Sequence, residues 1–318
     1  MLVLRGLSCP SPTATVLTIG NFDGVHRGHR ALLARLRDAA DQTGLPAAVL
    51  TFEPHPREFF TPDSAPARLS TLREKLELLA DAGVDVVAVY RFDATFAALS
   101  ANQFIEKVLV EGLKARHLLI GDDFRFGAKR GGDFALLQRA GATWGFGVEA
   151  MGSVVEGGER VSSSAVRAAL AGGDMDHAAR LLSRPYSIDG RVVKGQQLGR
   201  QLGFPTANIR IKHDPLPLCG VFAVEVAGLG DAGQPPIAGV ANLGVRPTVD
   251  GTRRPLLEVH LFDFSGDIYG RHLSVRFVKK LRDEMRFAGL DALKAQIAQD
   301  ALDARAFFAA RPPGSAPA

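Results

Sequence analysis

The chain has 318 residues, a length that suits two domains better than one. Apolar residues make up 46% and charged residues 23%, enough for real cores and ordinary for a soluble protein. The net charge of +4 is modest and its basic residues are scattered, which argues against a nucleic-acid groove and suits phosphorylated small molecules equally well.

In chain order, residues 15–19 (Thr-Val-Leu-Thr-Ile) read as a short buried strand. Leu32, Leu33, Leu36 and Ala40 then recur at helical spacing until Gly44 ends the run. Residues 47–52 are strand-like, and Leu72, Leu76 and Leu79 form a helical stripe. Residues 84–90 make an apolar strand after Gly83. Ser100 and Gln103 form a capping box for a helix through Leu109. Residues 117–120 predict another strand and 133–140 another helix. This alternation implies a parallel sheet covered by helices, with ligands at the carboxyl ends of the strands. The pattern changes near Ser183-Arg184-Pro185-Tyr186, so the predicted domains are 1–183 and 184–318. Downstream, strands at 188–193, 221–226, 237–241, 256–261 and 273–278 argue for a compact antiparallel barrel or sandwich. A closing helix follows, with Leu290, Leu293, Ile297 and Leu302 as its apolar face.

Other features are exclusions. Cys9 and Cys219 lie far apart and give neither metal spacing nor a disulfide framework, which fits a reducing cytoplasm. Residues 1–11 are too weakly apolar for a signal peptide, and no apolar run approaches the roughly 20 residues that span a bilayer. The Pro-rich tail from Arg311 is expected to be disordered.

The strongest motif is Gly20-Asn21-Phe22-Asp23-Gly24-Val25-His26-Arg27-Gly28-His29. It sits where a strand turns into a helix N-terminus, which presents N–H groups and partial positive charge to phosphate. His26 as a plain helix cap is the bland alternative. Thr51-Phe52-Glu53-Pro54-His55-Pro56 ends the second strand. Its two prolines predict an extended loop and deny it helix, and Phe52 and His55 stand at the ligand mouth. Gly121-Asp122-Asp123-Phe124-Arg125-Phe126-Gly127 follows a strand and reads as a ligand-facing loop. Its aromatic rings suit stacking on a planar ring and Arg125 suits phosphate. Val161-Ser162-Ser163-Ser164-Ala165-Val166-Arg167 begins a helix whose hydroxyls cap N–H groups or surround an anion.

In the second half, Gly195, Gly199 and Gly203 punctuate a loop that ends in Gly203-Phe204-Pro205-Thr206-Ala207-Asn208. Thr206 and Asn208 point the same way from an extended segment, a hydroxyl and an amide that suit hydrated Mg²⁺ and phosphate oxygens. An Asx/ST turn is the plain alternative. Glu258 and His260 share one strand face, expected to be the inner face of the barrel. There Glu258 is either a base for an attacking hydroxyl or half of an ion pair with Arg253 or Arg254. Lys279 to Phe287 is mostly charged and reads as a solvated segment leading to a helix, with Arg282 able to close on phosphate.

Taken in order, these motifs resemble the bacterial bifunctional riboflavin kinase/FAD synthetase family from about Leu17 to Phe308. The His-x-Gly-His segment is similar to the signature of class I nucleotidyltransferases. Val161, Ser164 and Val166 stand where the flavin branch of those enzymes has Ile, Thr and Ile, and Phe222 replaces the family's tyrosine. The resemblance implies a Rossmann-like nucleotidyltransferase domain followed by a small antiparallel kinase barrel with a C-terminal helix. It implies phosphorylation of riboflavin to FMN, then adenylation of FMN to FAD plus pyrophosphate, with ATP and Mg²⁺. Glu258 would be the kinase base. Thr206 and Asn208 would hold the metal and phosphates, and the Gly195, Gly199 and Gly203 loop would cover ATP. In the first domain Gly20, Asn21, Phe22, Asp23 and Gly24 would bind nucleotide, and His26 and His29 would stabilise phosphate charge. Ser162, Ser163 and Arg167 would hold pyrophosphate. Phe52, His55, Asp123, Phe124, Arg125, Phe126 and Arg282 would meet flavin, with Asp123 on either the adenosine or the flavin side. The alternatives are a single-activity FMN adenylyltransferase with a flavin-binding regulatory barrel, a nucleic-acid-binding protein with an OB-like module, and a flavin carrier. Partners are expected to be small molecules, with no nucleic acid and no membrane, in the cytoplasm, and oligomerisation is left open.

Overall fold

The computed structural model describes residues 1–195, 199, 203–213, 215–230, 234–247 and 253–311, with backbone alone at 246–247 and 253–254. They form two compact units, Met1–Pro66 with Leu72–Val161, and Ala67–Thr71 with Ser162–Ala318.

The first unit is a parallel sheet of six strands: β1 (Leu2–Arg5), β2 (Thr15–Ile19), β3 (Ala47–Glu53), β4 (Val86–Arg91), β5 (Ala115–Gly121) and β6 (Gly147–Met151). Their order is β1-β4-β3-β2-β5-β6. Strand β2 is buried at every position because helices cover both faces of the sheet. Its side chains alternate accordingly. Leu17 and Ile19 join Leu50, Leu118 and Ile120 in one core, while Val16 joins Val49, Val87 and Leu119 in the other. Helix α1 (Arg27–Thr43) presents Leu33, Leu36, Ala39 and Ala40 to the second core and stops at Gly44, whose φ of 65° suits glycine.

The connections run β2-α1-β3 and then on to β4, after which β5 returns to the other side of β2. The strand order therefore reverses beside β2, and its carboxyl end opens a crevice where ligands bind in such sheets. Strands β1 and β6 carry no strong periodic signal and complete the edges.

Two local expectations are corrected. The segment after Pro54 is not wholly extended, since Pro56 begins a short helix, α2 (Pro56–Phe60). Proline is tolerated at the first helical position, where its missing N–H has no partner to lose. The next helices are α3 (Leu72–Asp81), α4 (Ala94–Ala97) and α5 (Ala101–Gln103). The Ser100 capping box starts α5, but the chain continues over Phe104–Gly112 as π-helical turns, closed by the Leu113 N–H donating to Val108 O. Helix α6 (Phe134–Trp144) and a small hairpin, β7 (Val155–Glu156) with β8 (Glu159–Arg160), complete this unit.

The second unit begins with two helices, α7 (Ser163–Gly172) and α8 (Met175–Leu182). A closed antiparallel barrel follows, of β9 (Tyr186–Val193), β10 (Ala207–Arg210), β11 (Gly220–Ala227), β12 (Ile237–Pro247), β13 (Arg253–Leu261) and β14 (His272–Arg282), in the order β10-β13-β12-β11-β14-β9. Residues 279–282, expected to be a solvated lead into a helix, are the end of β14. Helix α9 (Leu290–Ala310) closes the unit.

The face assignment of Glu258 is reversed. Leu257, Val259 and Leu261 are buried inside the barrel, opposite Ile209, Ala207 and Gly239, so Glu258 and His260 turn outward. An apolar interior selects the three apolar side chains. Outside the barrel, Val221, Ala223, Val240 and Val278 meet Ala301 and Ala304 of α9. The buried stripe of α9 is thus not the expected leucine face. Leu290 and Leu302 are 58% and 61% exposed. Leu302 follows Ile297 by five residues, which rotates it off the stripe, whereas Ala301 and Ala304 keep helical spacing. Residues 312–318, expected to be disordered, lie outside the described residues.

Candidate active sites

In the first unit the loop after β2 carries the strongest sequence motif. Its backbone is forced into left-handed geometry at Phe22 (φ 48°), Gly24 (φ 78°) and Val25 (φ 38°). Glycine tolerates this freely, while the two other residues cost about 1–3 kcal/mol each. Both are fully buried, so packing against Val16, Leu33 and Leu36 holds the strained turn. Strand β3 grips the loop at two points. The Gly20 N–H donates to Leu50 O at 3.0 Å, and the Thr51 hydroxyl donates to Asn21 O at 3.2 Å.

His26 is the N-cap of α1, so the plain reading of that residue holds alongside the functional one. The His29 N–H donates to His26 Nδ1 at 3.2 Å, which leaves the proton of a neutral His26 on Nε2. The two imidazoles stack, 3.6 Å between centroids and 14° apart. Burial, then His26, then Lys75 push the His29 imidazole well below its ordinary value, so His29 is neutral at physiological pH. A neutral imidazole at a helix N-terminus is a directed hydrogen-bond donor, backed by the helix dipole.

The neighbouring strand ends supply the other candidates. Phe52 packs against Phe92 and Phe96, at 5.7 and 5.5 Å between centroids. His55 caps α2, accepting from the Arg57 N–H, while its own N–H donates to Glu58. After β5, Asp123 pairs with Arg160 of β8 at 2.7 Å, and Arg160 holds its carboxyl below the ordinary carboxylate range. Phe124 is half-buried and stacks 5.6 Å from Phe126. The structure places Phe126 in the core against Phe104, so Phe124 is the ring of that loop that reaches solvent. Arg125 is exposed beside them.

In the second unit, Ser162 is the N-cap of α7 and accepts from the Ala165 N–H at 3.1 Å. Ser163 is the first residue of that helix. Arg167 donates from Nε to Ala67 O at 2.6 Å, which orients its guanidinium.

The barrel holds a cleft of about 180 Å³ between its outer face and α9. The register draws one row of side chains across five strands. Asn208 of β10 faces Glu258 of β13, Glu258 faces Asn242 of β12, Asn242 faces Val221 of β11, and Val221 faces Arg282 of β14. Thr206, Asn242, Glu258 and Arg282 all line the cleft. Two of the three loop glycines are steric necessities. A Cβ on Gly195 would collide with the Asn208 amide, and one on Gly199 with Phe204 O and the Thr206 hydroxyl. Gly203 has a φ of 89°. Residues 196–198 and 200–202 of this loop, and the side chains of Arg253 and Arg254, lie outside the described residues.

His260 is held by Pro205 O at 2.9 Å and by Phe204 and Phe262, and so backs the cleft wall. The Arg282 fork is engaged by Asp300 of α9 at 2.8 and 2.7 Å, with Gln296 also donating to Asp300. Asn242 and Asp300 were missed. The amide directly after the apolar run 237–241 is the signal that would find Asn242, whereas Asp300 on a mixed helix gives none.

Residues 9–165 match the FAD synthetase family model and residues 182–308 the riboflavin kinase model. The chain is 54% identical over 311 residues to the bifunctional riboflavin kinase/FMN adenylyltransferase of Escherichia coli (strain K12), covering 97% of this chain and 98% of that one. The chain belongs to the bifunctional riboflavin kinase/FMN adenylyltransferase family. The relative of that family from Haemophilus influenzae is 50% identical, over 97% and 99% of the two chains. A solved Streptococcus pneumoniae protein, described as a macrolide-efflux protein, superposes with a TM-score of 0.80 at 27% identity, over 94% and 97% of the two chains. Among the described residues here, no helix is long and apolar enough to cross a membrane. The two family matches divide as the fold does, one over the parallel sheet and one over the barrel.

Proposed function

We propose that the chain divides two ATP-dependent reactions between its halves, phosphorylation in 184–318 and adenylation in 1–183. The chain is a riboflavin kinase and an FMN adenylyltransferase, acting on riboflavin, FMN and ATP. The observation that carries the residue assignment in the barrel is the Asn208-Glu258-Asn242 row, of which Glu258 and Asn242 line the cleft.

In the kinase reaction the riboflavin 5′-hydroxyl attacks the γ-phosphorus of ATP. The new O–P bond forms as the bond to the β-phosphate oxygen breaks, and Glu258 takes the hydroxyl proton. Thr206 and Asn208 are oxygen donors cradled by Gly199 and Gly195, a hard donor set that fits a largely hydrated Mg²⁺. Those two residues would hold Mg²⁺, which neutralises charge on the phosphoryl oxygens when bound. Gly195, Gly199 and Gly203 let the loop lie close over the nucleotide. Arg282, set by Asp300 and 5.8 Å from the Phe287 ring, forms the flavin side of the cleft.

In the adenylation reaction an FMN phosphate oxygen attacks the α-phosphorus of ATP and pyrophosphate leaves. That oxygen is already anionic, so no protein nucleophile is required. Gly20, Asn21, Phe22, Asp23 and Gly24 shape the nucleotide loop, and His26 with His29 donates to the phosphates. Ser162, Ser163 and Arg167 hold the pyrophosphate. Phe52, His55, Asp123, Phe124 and Arg125 receive the flavin, with Phe126 as the wall behind Phe124. A cytoplasmic location fits this use of ATP.

A time course with riboflavin, ATP and Mg²⁺, with flavins separated chromatographically, tests the division. FMN should rise first and FAD follow. Glu258→Ala should abolish FMN formation yet still convert added FMN, and His26→Ala/His29→Ala should stop at FMN. Adenylation of FMN without phosphorylation of riboflavin would reduce the barrel to a regulatory flavin-binding module.

A further inference from the structure

Lys75 of α3 is 5% exposed, and an ammonium is expensive to remove from water. Nothing in the chemistry above uses it. Its Nζ lies 3.5 Å from Thr51 Oγ1, the outer limit of a hydrogen bond. Thr51 is fully buried, and its own hydroxyl proton goes to Asn21 O at 3.2 Å. The three groups therefore form one directed chain. The ammonium donates to the hydroxyl, the hydroxyl donates to the carbonyl, and each donation strengthens the next. The carbonyl at its end belongs to the residue before Phe22, where the strained left-handed turn begins. Such a turn persists only where its surroundings over-determine it.

We propose that Lys75 is a positioning residue for adenylyl transfer, acting through Thr51 to clamp the Asn21 carbonyl and so set the loop that carries His26 and His29. The inference rests on assigning adenylation to the first unit. The clamp couples the α3 side of the sheet to the motif at the end of β2, without Lys75 touching the reacting atoms. The same ammonium is among the charges that keep His29 neutral. Its loss would therefore change the placement of the loop, while burial and His26 still hold His29 neutral.

The test uses the full chain, with riboflavin phosphorylation in the same sample as an internal control. Lys75→Met should lower kcat for FMN adenylation by about tenfold or more, a displacement effect, with KM for FMN changed by less than about twofold. Phosphorylation should remain at the parent level, and Lys75→Arg should recover most of the lost rate. Thr51→Val should act in the same direction while Thr51→Ser retains the rate. The Lys75→Met/Thr51→Val double variant should be no worse than the poorer single one, because both break one chain. A parent-level kcat in Lys75→Met overturns the proposal, as do additive losses in the double variant. If Lys75→Met does not fold, Thr51→Val against Thr51→Ser decides, and equal rates there overturn it. A parent chain that phosphorylates riboflavin yet never adenylates FMN would instead remove the underlying assignment.

Discussion

On the proposed assignment the two units meet the same problem, holding a triphosphate beside a flavin, with opposite materials. The first uses backbone. Its candidate donors, His26 and His29, sit at the start of α1, behind a loop with left-handed Phe22 and Val25. The second uses side chains on strands, where Asn208, Glu258 and Asn242 stand in register on a closed barrel. A strand row is set by pairing and needs no strain. A loop must be held from outside, here by buried Phe22 and Val25 and by the grip of β3 on Gly20 and Asn21. Function in the barrel should therefore fall residue by residue, whereas the first site should fail as a whole when its supports are cut.

The sharpest break is Glu258→Ala. Loss of a general base costs about 10²- to 10⁴-fold, so riboflavin phosphorylation should fall by that much while adenylation of added FMN persists. Next is His29→Ala, which removes a donor preorganised for phosphate, and the FAD rate should drop by about 10²- to 10³-fold as FMN accumulates. Asp300→Ala takes the carboxylate from Arg282 beside α9. Arg282 is only partly buried and keeps its bond to Asp283 O, so the loss should be about 1–3 kcal/mol, read as a lower denaturant midpoint for the barrel.

A smaller effect follows from His29 neutrality. Its folded pKa is depressed, so below the ordinary value of 6.5 the unfolded chain binds a proton that the folded chain refuses. Stability should fall as pH drops from 6.5 toward the folded pKa, by about 1.4 kcal/mol per pH unit at most, and not above 6.5. Urea titrations of the parent and His29→Ala at pH 7 and 5.5 check this, and the variant should lose that slope. The smallest effect belongs to Asp123→Ala. Its pair with Arg160 is exposed, and such pairs contribute about 0.2–1 kcal/mol, so any larger loss of FAD formation reports ligand contact rather than stability.

The first unit was legible because parallel strands read as apolar runs and each motif fell at a strand end. The edge strands β1 and β6 were not, being short and only partly buried. Alternation in Leu256 to Leu261 revealed a two-faced strand but not which face was inward, since a carboxylate near a barrel can be excused either by function or by solvent. The burial of Leu257 and Val259 decides it. The stripe on α9 is not legible from its large apolar residues, because the close approach to the barrel is made by Ala301 and Ala304. Lys75 was invisible for a similar reason, as one lysine among the charges of an amphipathic helix.

The Arg167 bond to Ala67 O has a bearing on how such a protein can be taken apart. Five residues from the middle of the first half are counted with the second compact unit, so the chain is interleaved rather than laid end to end. No single scission yields two whole pieces. A fragment ending at residue 161 keeps 67–71 but loses the helix whose arginine captures it, and the complementary fragment keeps that arginine without its acceptor. A cut at residue 161 therefore parts that arginine from its acceptor, whichever piece is kept.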